Sequence, residues 1–127
     1  MAEWVYYNPN PKHGKVVDCT IRAICAVTGK SWDEVYAEAC LEGFLEKNMP
    51  SANSVWKSYL RRLGYGRAII PDECPDCYTV GDFADDHPVG RFVLGTGSHA
   101  VAVIDGRVFD LFDSRSEVPV YFYYKKE

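Results

Sequence analysis

Apolar and polar positions change their period part-way along the chain. Between residues 18 and 63 the apolar side chains recur at three- and four-residue spacing; from residue 91 onward they alternate. The first stretch predicts helices. Asp18 precedes Cys19-Thr20-Ile21-Arg22-Ala23-Ile24-Cys25-Ala26-Val27 and Gly29 supplies a stop, so a helix is expected to begin at Cys19 with Asp18 as its N-cap. Ser31-Trp32-Asp33-Glu34 reads as a capping box opening a second helix that ends before Gly43, with Trp32, Tyr36, Ala39 and Cys40 as its buried stripe. A third helix is predicted from Ala52 to Leu63, with Val55, Trp56, Tyr59, Leu60 and Leu63 on one side and Gly64 ending it.

The remainder predicts mainly strands. Trp4 to Tyr7 is a short strand or extended arm, followed by a loop rich in Asn, Pro and Gly. Arg67 to Ile70 is a short strand, Pro71 to Cys77 a loop, and Thr79 caps a brief helix stopped by Pro88. Strands are then expected at Arg91–Gly95, His99–Ile104, Arg107–Phe112 and Val118–Tyr124, with Asp105-Gly106 as a type I′ hairpin turn. Helices first and an antiparallel sheet second make an α+β fold, and 127 residues without repeat or linker make a single domain, 1–127.

Charge and composition narrow the function classes. A net charge of −4 gives no basic face for nucleic acid. No apolar run is long enough to span a membrane, and Met-Ala-Glu-Trp-Val lacks the basic and apolar segments of a signal peptide. Five cysteines without a secretion signal are expected to be reduced, which implies a cytoplasmic location.

The chemistry then concentrates on few residues. A thiol at a helix start is favoured as thiolate by the macrodipole and by free backbone N–H groups, so Cys19 is the candidate nucleophile. A nucleophilic thiol also needs a base held by a third group. His99, after the flexible run Gly95-Thr96-Gly97-Ser98, stands at a strand start and can be that base. Counting back from the two-residue turn sets His99 opposite Phe112, which puts Asp110 on the same face one diagonal away. Asp113 lies just beyond, where a bulge could bring it in.

The order of helix-start Cys, strand-start His and acid on the return strand resembles the papain-like cysteine peptidases. It is most similar to the small bacterial and phage members, on Asp18-Cys19-x-x-x-Ala23 and Ser98-His99. The resemblance implies a papain-like fold, N-terminal helices carrying the Cys packed on a C-terminal antiparallel β-sheet. It implies a Cys-His-Asp triad that cleaves a peptide or amide bond through an acyl-enzyme, with no cofactor and a peptide or protein as substrate. It also favours Asp113, because Phe112-Asp113-Ser114 looks like the family's third-residue segment; parity favours Asp110, and both are kept. The family's oxyanion-binding Gln is missing: six residues before Cys19 stands His13, which with Asn10 is the candidate side-chain donor beside the Cys19 N–H.

Other features carry other readings. Arg22, three residues after Cys19, can favour the thiolate, or be an ordinary surface or salt-bridged residue, for instance with Asp18. Cys74-Pro75-Asp76-Cys77 is half of a zinc site, with Asp86 and His87 as possible further ligands; a tight loop with two thiols or a disulfide is the plainer reading. No phosphate-binding glycine loop and no serine in a nucleophile elbow are present. The same triad would serve an acyltransferase, and the same fold a binding or regulatory protein without turnover. The residues do not specify the oligomeric state.

Overall fold

The computed structural model describes residues 2–71 and 77–126. Among them it is an α+β fold of four helices and one six-stranded sheet. The elements are β1 (Trp4–Tyr6), α1 (Cys19–Thr28), α2 (Trp32–Glu46), α3 (Asn53–Arg62), β2 (Tyr65–Ile69), α4 (Val80–Asp86), β3 (Arg91–Gly95), β4 (Ala100–Ile104), β5 (Arg107–Asp110) and β6 (Tyr121–Lys125). The strand order is β1-β5-β4-β3-β6-β2. The sheet is mixed, not antiparallel throughout as expected: β1 runs parallel to β5, pairing Trp4 with Val108 and Tyr6 with Asp110. No described helix is long and apolar enough to cross a membrane.

Alternation along the central strands sends side chains to two cores. Val93, Ala100, Ala102, Tyr121 and Tyr123 pack with Ile21, Ile24, Val35, Trp56 and Leu60, so α1, α2 and α3 cover that face. Leu94, Val101 and Val103 point the other way, onto Val80, Phe83 and Ala84 of α4. The small Ala100 and Ala102 on the first face let α1 lie close against β4. That closeness brings the first turn of α1 to the start of β4.

Local chemistry sets the element ends. Gly29 takes the left-handed conformation at φ 75° and closes α1 through its N–H to the Cys25 carbonyl. Thr79 and Asp82 form a reciprocal capping box on α4. Asp105 (φ 49°) and Gly106 (φ 77°) form the expected turn with both residues left-handed, and Ile104 pairs with Arg107.

Helix α2 departs from its expected pattern. Ser31 accepts from the Glu34 N–H, but the helix passes Gly43 and ends at Glu46, with Lys47 left-handed. Its buried residues are Val35, Ala39, Glu42 and Gly43, while Tyr36 is 48% exposed. Gly43 is kept inside because its backbone faces the returning chain: a Cβ there would stand 2.7 Å from the Asn48 carbonyl oxygen. Glu42 is buried because Arg62 of α3 reaches its carboxylate at 2.8 Å.

Cys19, Cys25 and Cys40 are free, whereas Cys77 is disulfide-bonded, the second of the two plain readings of the Cys-x-x-Cys loop and a departure from the general expectation of reduced thiols. The other half of the Cys-x-x-Cys pair, Cys74, lies outside the described residues.

One contact links the sheet to the cleft described below. Gly95 lies under Tyr121, and a Cβ on Gly95 would meet that ring at 2.3 Å. Gly95→Ala is therefore expected to displace the Tyr121 ring and cost about 1–3 kcal/mol of stability, as overpacked cores do. Urea unfolding measures it; an unchanged midpoint would show that the ring yields freely.

Candidate active site

Helix α1 and the start of β4 bring Cys19 and His99 together. Cys19 is the first residue of α1, half-buried, and its thiol shares a cavity wall with His99 and Ala100. His99 Nε2 lies 2.7 Å from Asp110 Oδ2, which leaves Nδ1 as the ring nitrogen for the thiol. Residue 99 directly precedes β4 and Asp110 ends β5, so the hairpin holds both where its strands finish. The His99 ring is flanked by Phe112, centroids 5.0 Å apart, as the counted register requires.

Asp110 orients His99, and Asp113 does not. Asp113 is exposed at the surface, where its carboxylate accepts from Arg115 Nη2 at 2.7 Å. Its partner ties down the chain: Arg115 Nη1 donates to the Ala2 carbonyl, and the Arg115 carbonyl accepts from the Gly81 N–H. Chain parity along the hairpin therefore prevails over the pattern of the Phe112-Asp113-Ser114 segment.

Asp110 is fully buried and saturated with donors. Oδ2 accepts from His99 and from Ser114 Oγ, each at 2.7 Å. Oδ1 accepts from the Leu111 N–H at 2.7 Å and from Arg22 Nη2 at 3.0 Å. Its backbone is clamped by β1, since the Tyr7 N–H and Trp4 Nε1 both donate to the Asp110 carbonyl.

Arg22 is not a surface residue. It is 4% exposed and divides its guanidinium between Asp110 and Asp18, the latter at 2.5 Å. Asp18 accepts on its other oxygen from Trp32 Nε1 at 2.8 Å. Asp18 thus occupies the N-cap position of α1 without capping, and its side chain makes no bond to the first-turn N–H groups.

The titration of these groups follows from that wiring. Burial pushes the Cys19 thiol up, but the His99 hydrogen bond, the Ala100 N–H, and the charges of His99 and Arg22 carry it below the ordinary thiol value. Burial pushes His99 down, and its bonds to Asp110 and Cys19 outweigh this and raise it to about 9. Asp110 is likewise raised by burial and, on balance, lowered by its bonds to His99 and Ser114. These shifts favour a thiolate–imidazolium pair backed by a carboxylate. Cys25, two turns along the same helix, behaves oppositely: burial first, then the Asp18 charge, push it up to about 12.

The thiol faces a cavity of about 250 Å³ lined by Val17, Cys19, Asn53, Trp56, His99 and Tyr121, among others. Neither expected oxyanion donor lines it. His13 is exposed in the N-terminal loop, and Asn10 borders a neighbouring cavity of about 450 Å³ with Val16, Trp32, Tyr36 and Met49. The two cavities meet at Val17, Thr20 and Ser51.

Comparison with protein-family models, curated proteins and solved structures finds no match. The residues themselves therefore carry the functional reading.

The possible zinc ligands are engaged elsewhere. His87 stacks on Phe83 at 3.8 Å and bonds the Phe83 carbonyl through Nδ1, and Asp86 accepts from the Tyr78 hydroxyl. Among the described residues no group of three His, Cys, Asp or Glu side chains is placed to hold a metal.

Removing Arg22 would leave Asp18 and Asp110 buried without their shared cation. Arg22→Ala is expected to lower the unfolding free energy by about 3–5 kcal/mol, the usual cost of stripping one partner from a buried ion pair. Urea titration reads this as a lower midpoint; a loss below about 1 kcal/mol would place the pair in the weak, solvent-screened class.

Proposed function

We propose that this chain is a thiol hydrolase of papain-like arrangement, cleaving a peptide or amide bond at Cys19 through an acyl-enzyme. The observation that carries the reading is the placement of the helix-start thiol of Cys19 in one open cavity with His99, whose ring is bonded at 2.7 Å to the buried Asp110. A binding protein without turnover has no need of an activated thiol in an open cavity.

In this mechanism the Cys19 thiolate attacks the carbonyl carbon. A C–S bond forms and the π pair moves to the carbonyl oxygen. Collapse of that tetrahedral species expels the amine, which takes its proton from His99 Nδ1 and leaves a thioester on Cys19. Neutral His99 then takes a proton from water as the water attacks the thioester. The thiolate departs, and acid product and imidazolium complete the cycle. Asp110 remains an anion throughout, holding Nε2 and stabilising the imidazolium. The Cys19 N–H, in the uncapped first turn of α1, is a donor for the oxyanion.

The pH dependence follows with a definite sign. The ion pair is populated above the depressed Cys19 value and below about 9, where His99 releases its proton. Turnover is therefore expected to rise through a midpoint below the ordinary thiol value of about 8.5 and to fall near the His99 value.

The direct test is the rate of Cys19 alkylation by iodoacetamide against pH, read peptide by peptide by mass spectrometry. Wild type is expected to react well below the ordinary thiol value. His99→Ala should move the midpoint up to or beyond it, and Cys25 should stay inert as an internal control. An ordinary midpoint in wild type, or an unchanged one in His99→Ala, refutes the ion pair and with it the hydrolase reading.

A second comparison separates the two aspartates. Asp110→Asn is expected to raise the Cys19 midpoint by weakening the imidazolium, while Asp113→Asn leaves it in place. Equal effects would mean that Asp110 matters for folding alone.

A further inference from the structure

We infer that Asn53, the first residue of α3, supplies the second oxyanion donor of this site. The inference rests on the thiol-hydrolase reading and adds a residue from a part of the chain remote from both the nucleophile and the base.

Asn53 lines the cavity that holds Cys19 and His99. Trp56 Nε1 donates to its Oδ1 at 2.9 Å. An indole nitrogen can only donate, so the atom facing it is the amide oxygen, and the orientation of the amide follows from chemistry. Its NH₂ group is left over and makes no hydrogen bond to any described residue.

The orienting indole is itself held. Trp56 is 2% exposed and packs on Tyr121 and Tyr123, with ring centroids 6.1 and 5.2 Å away. Asn53 thus has the two properties an oxyanion donor needs: an unspent N–H pair at the nucleophile's cavity, and an orientation fixed before the reaction begins. The other side-chain donors considered, His13 and Asn10, lie outside this cavity. Asn53 and the Cys19 N–H would together receive the oxygen that gains the electron pair as the C–S bond forms.

Two probes of the same thiolate isolate this role. p-Nitrophenyl acetate acylates Cys19 through a tetrahedral oxyanion. Iodoacetamide alkylates it by direct displacement at carbon, with no oxyanion. Both reactions are followed in wild type, Asn53→Ala and Asn53→Asp, with Cys19→Ser as the blank for the ester.

Alanine and aspartate are both at home in the first turn of a helix, and aspartate still accepts from Trp56 while losing the NH₂. Loss of one such donor commonly slows the step by on the order of 10²–10³, so acylation should fall at least about tenfold in both variants. The limiting alkylation rate, at a pH where the thiolate is fully formed, should be unchanged. Acylation that stays at the wild-type rate overturns the assignment to Asn53. A parallel fall in both reactions also overturns it, because Asn53 would then act on the thiolate. If wild-type Cys19 shows no low-pH alkylation at all, the hydrolase reading fails first, and that outcome is seen without any Asn53 variant.

Discussion

Arg22 lies in the interior with one carboxylate on each side of its guanidinium, and the geometry around His99 depends on that division. A buried carboxylate such as Asp110 is costly unless its lone pairs are filled and its charge is opposed. Arg22 and the Leu111 N–H occupy Oδ1, which leaves Oδ2 for His99 and Ser114. Without the guanidinium, the carboxylate could rotate toward whichever donor remained, and the imidazole would lose its fixed partner. Arg22 also belongs to the helix whose first residue is Cys19. The same side chain therefore sets the distance between the element bearing the nucleophile and the strand end bearing the acid.

Asp18 completes this unit by giving up the role its position suggests. An aspartate before a helix normally folds back to accept from the first-turn N–H groups, a contact worth about 1 kcal/mol. Here the carboxylate is taken by Arg22 and Trp32 instead. The helix loses a cap, and the first-turn N–H groups stay available beside the thiol. Stability forgone at the helix end reappears in the buried pair, and the uncapped end is where negative charge develops in the proposed reaction.

Much of this was legible in the residues, and the failures have identifiable causes. The start of α1, the Gly29 stop, the Thr79 cap and the Asp105-Gly106 turn are local, each set by a few adjacent side chains, and they emerged where expected. The alternation of the hairpin also carried Asp110 to the side of His99, because a two-residue turn fixes the register. Asp113 was favoured by the look of its segment, which cannot weigh the competing claim of Arg115 two residues later. The parallel pairing of β1 with β5 joins residues about a hundred positions apart, and no local pattern announces it. Arg22 was ambiguous for a similar reason: its i, i−4 partner Asp18 was visible, but Asp110 was not. Tyr36 looked buried because helical spacing marks a stripe without saying how far a covering element extends. Asn53 had a readable signal, an Asn three residues before a Trp at a helix start, but only the fold brings that helix to Cys19.

In the proposed ion-pair state the sign of charge alternates along the row: Asp18 negative, Arg22 positive, Asp110 negative, His99 positive, Cys19 negative. Asp110, His99 and Cys19 are each favoured in the charged form by their neighbours, so this end of the row resists neutralisation from within. Transfer of a proton from His99 back to Cys19 would leave Asp110 facing a neutral ring. It would also remove the positive charge that, with Arg22, holds the thiol below its ordinary value. The cost of that reversal rises with burial, because the screening that would soften it is excluded. A carboxylate at the surface, such as Asp113, could hold an imidazole in place but would contribute little to this bias. The fold puts the acid at the end of a central hairpin, clamps its backbone with an edge strand and seals it with an arginine, and these three devices bias a helix-start cysteine toward the thiolate.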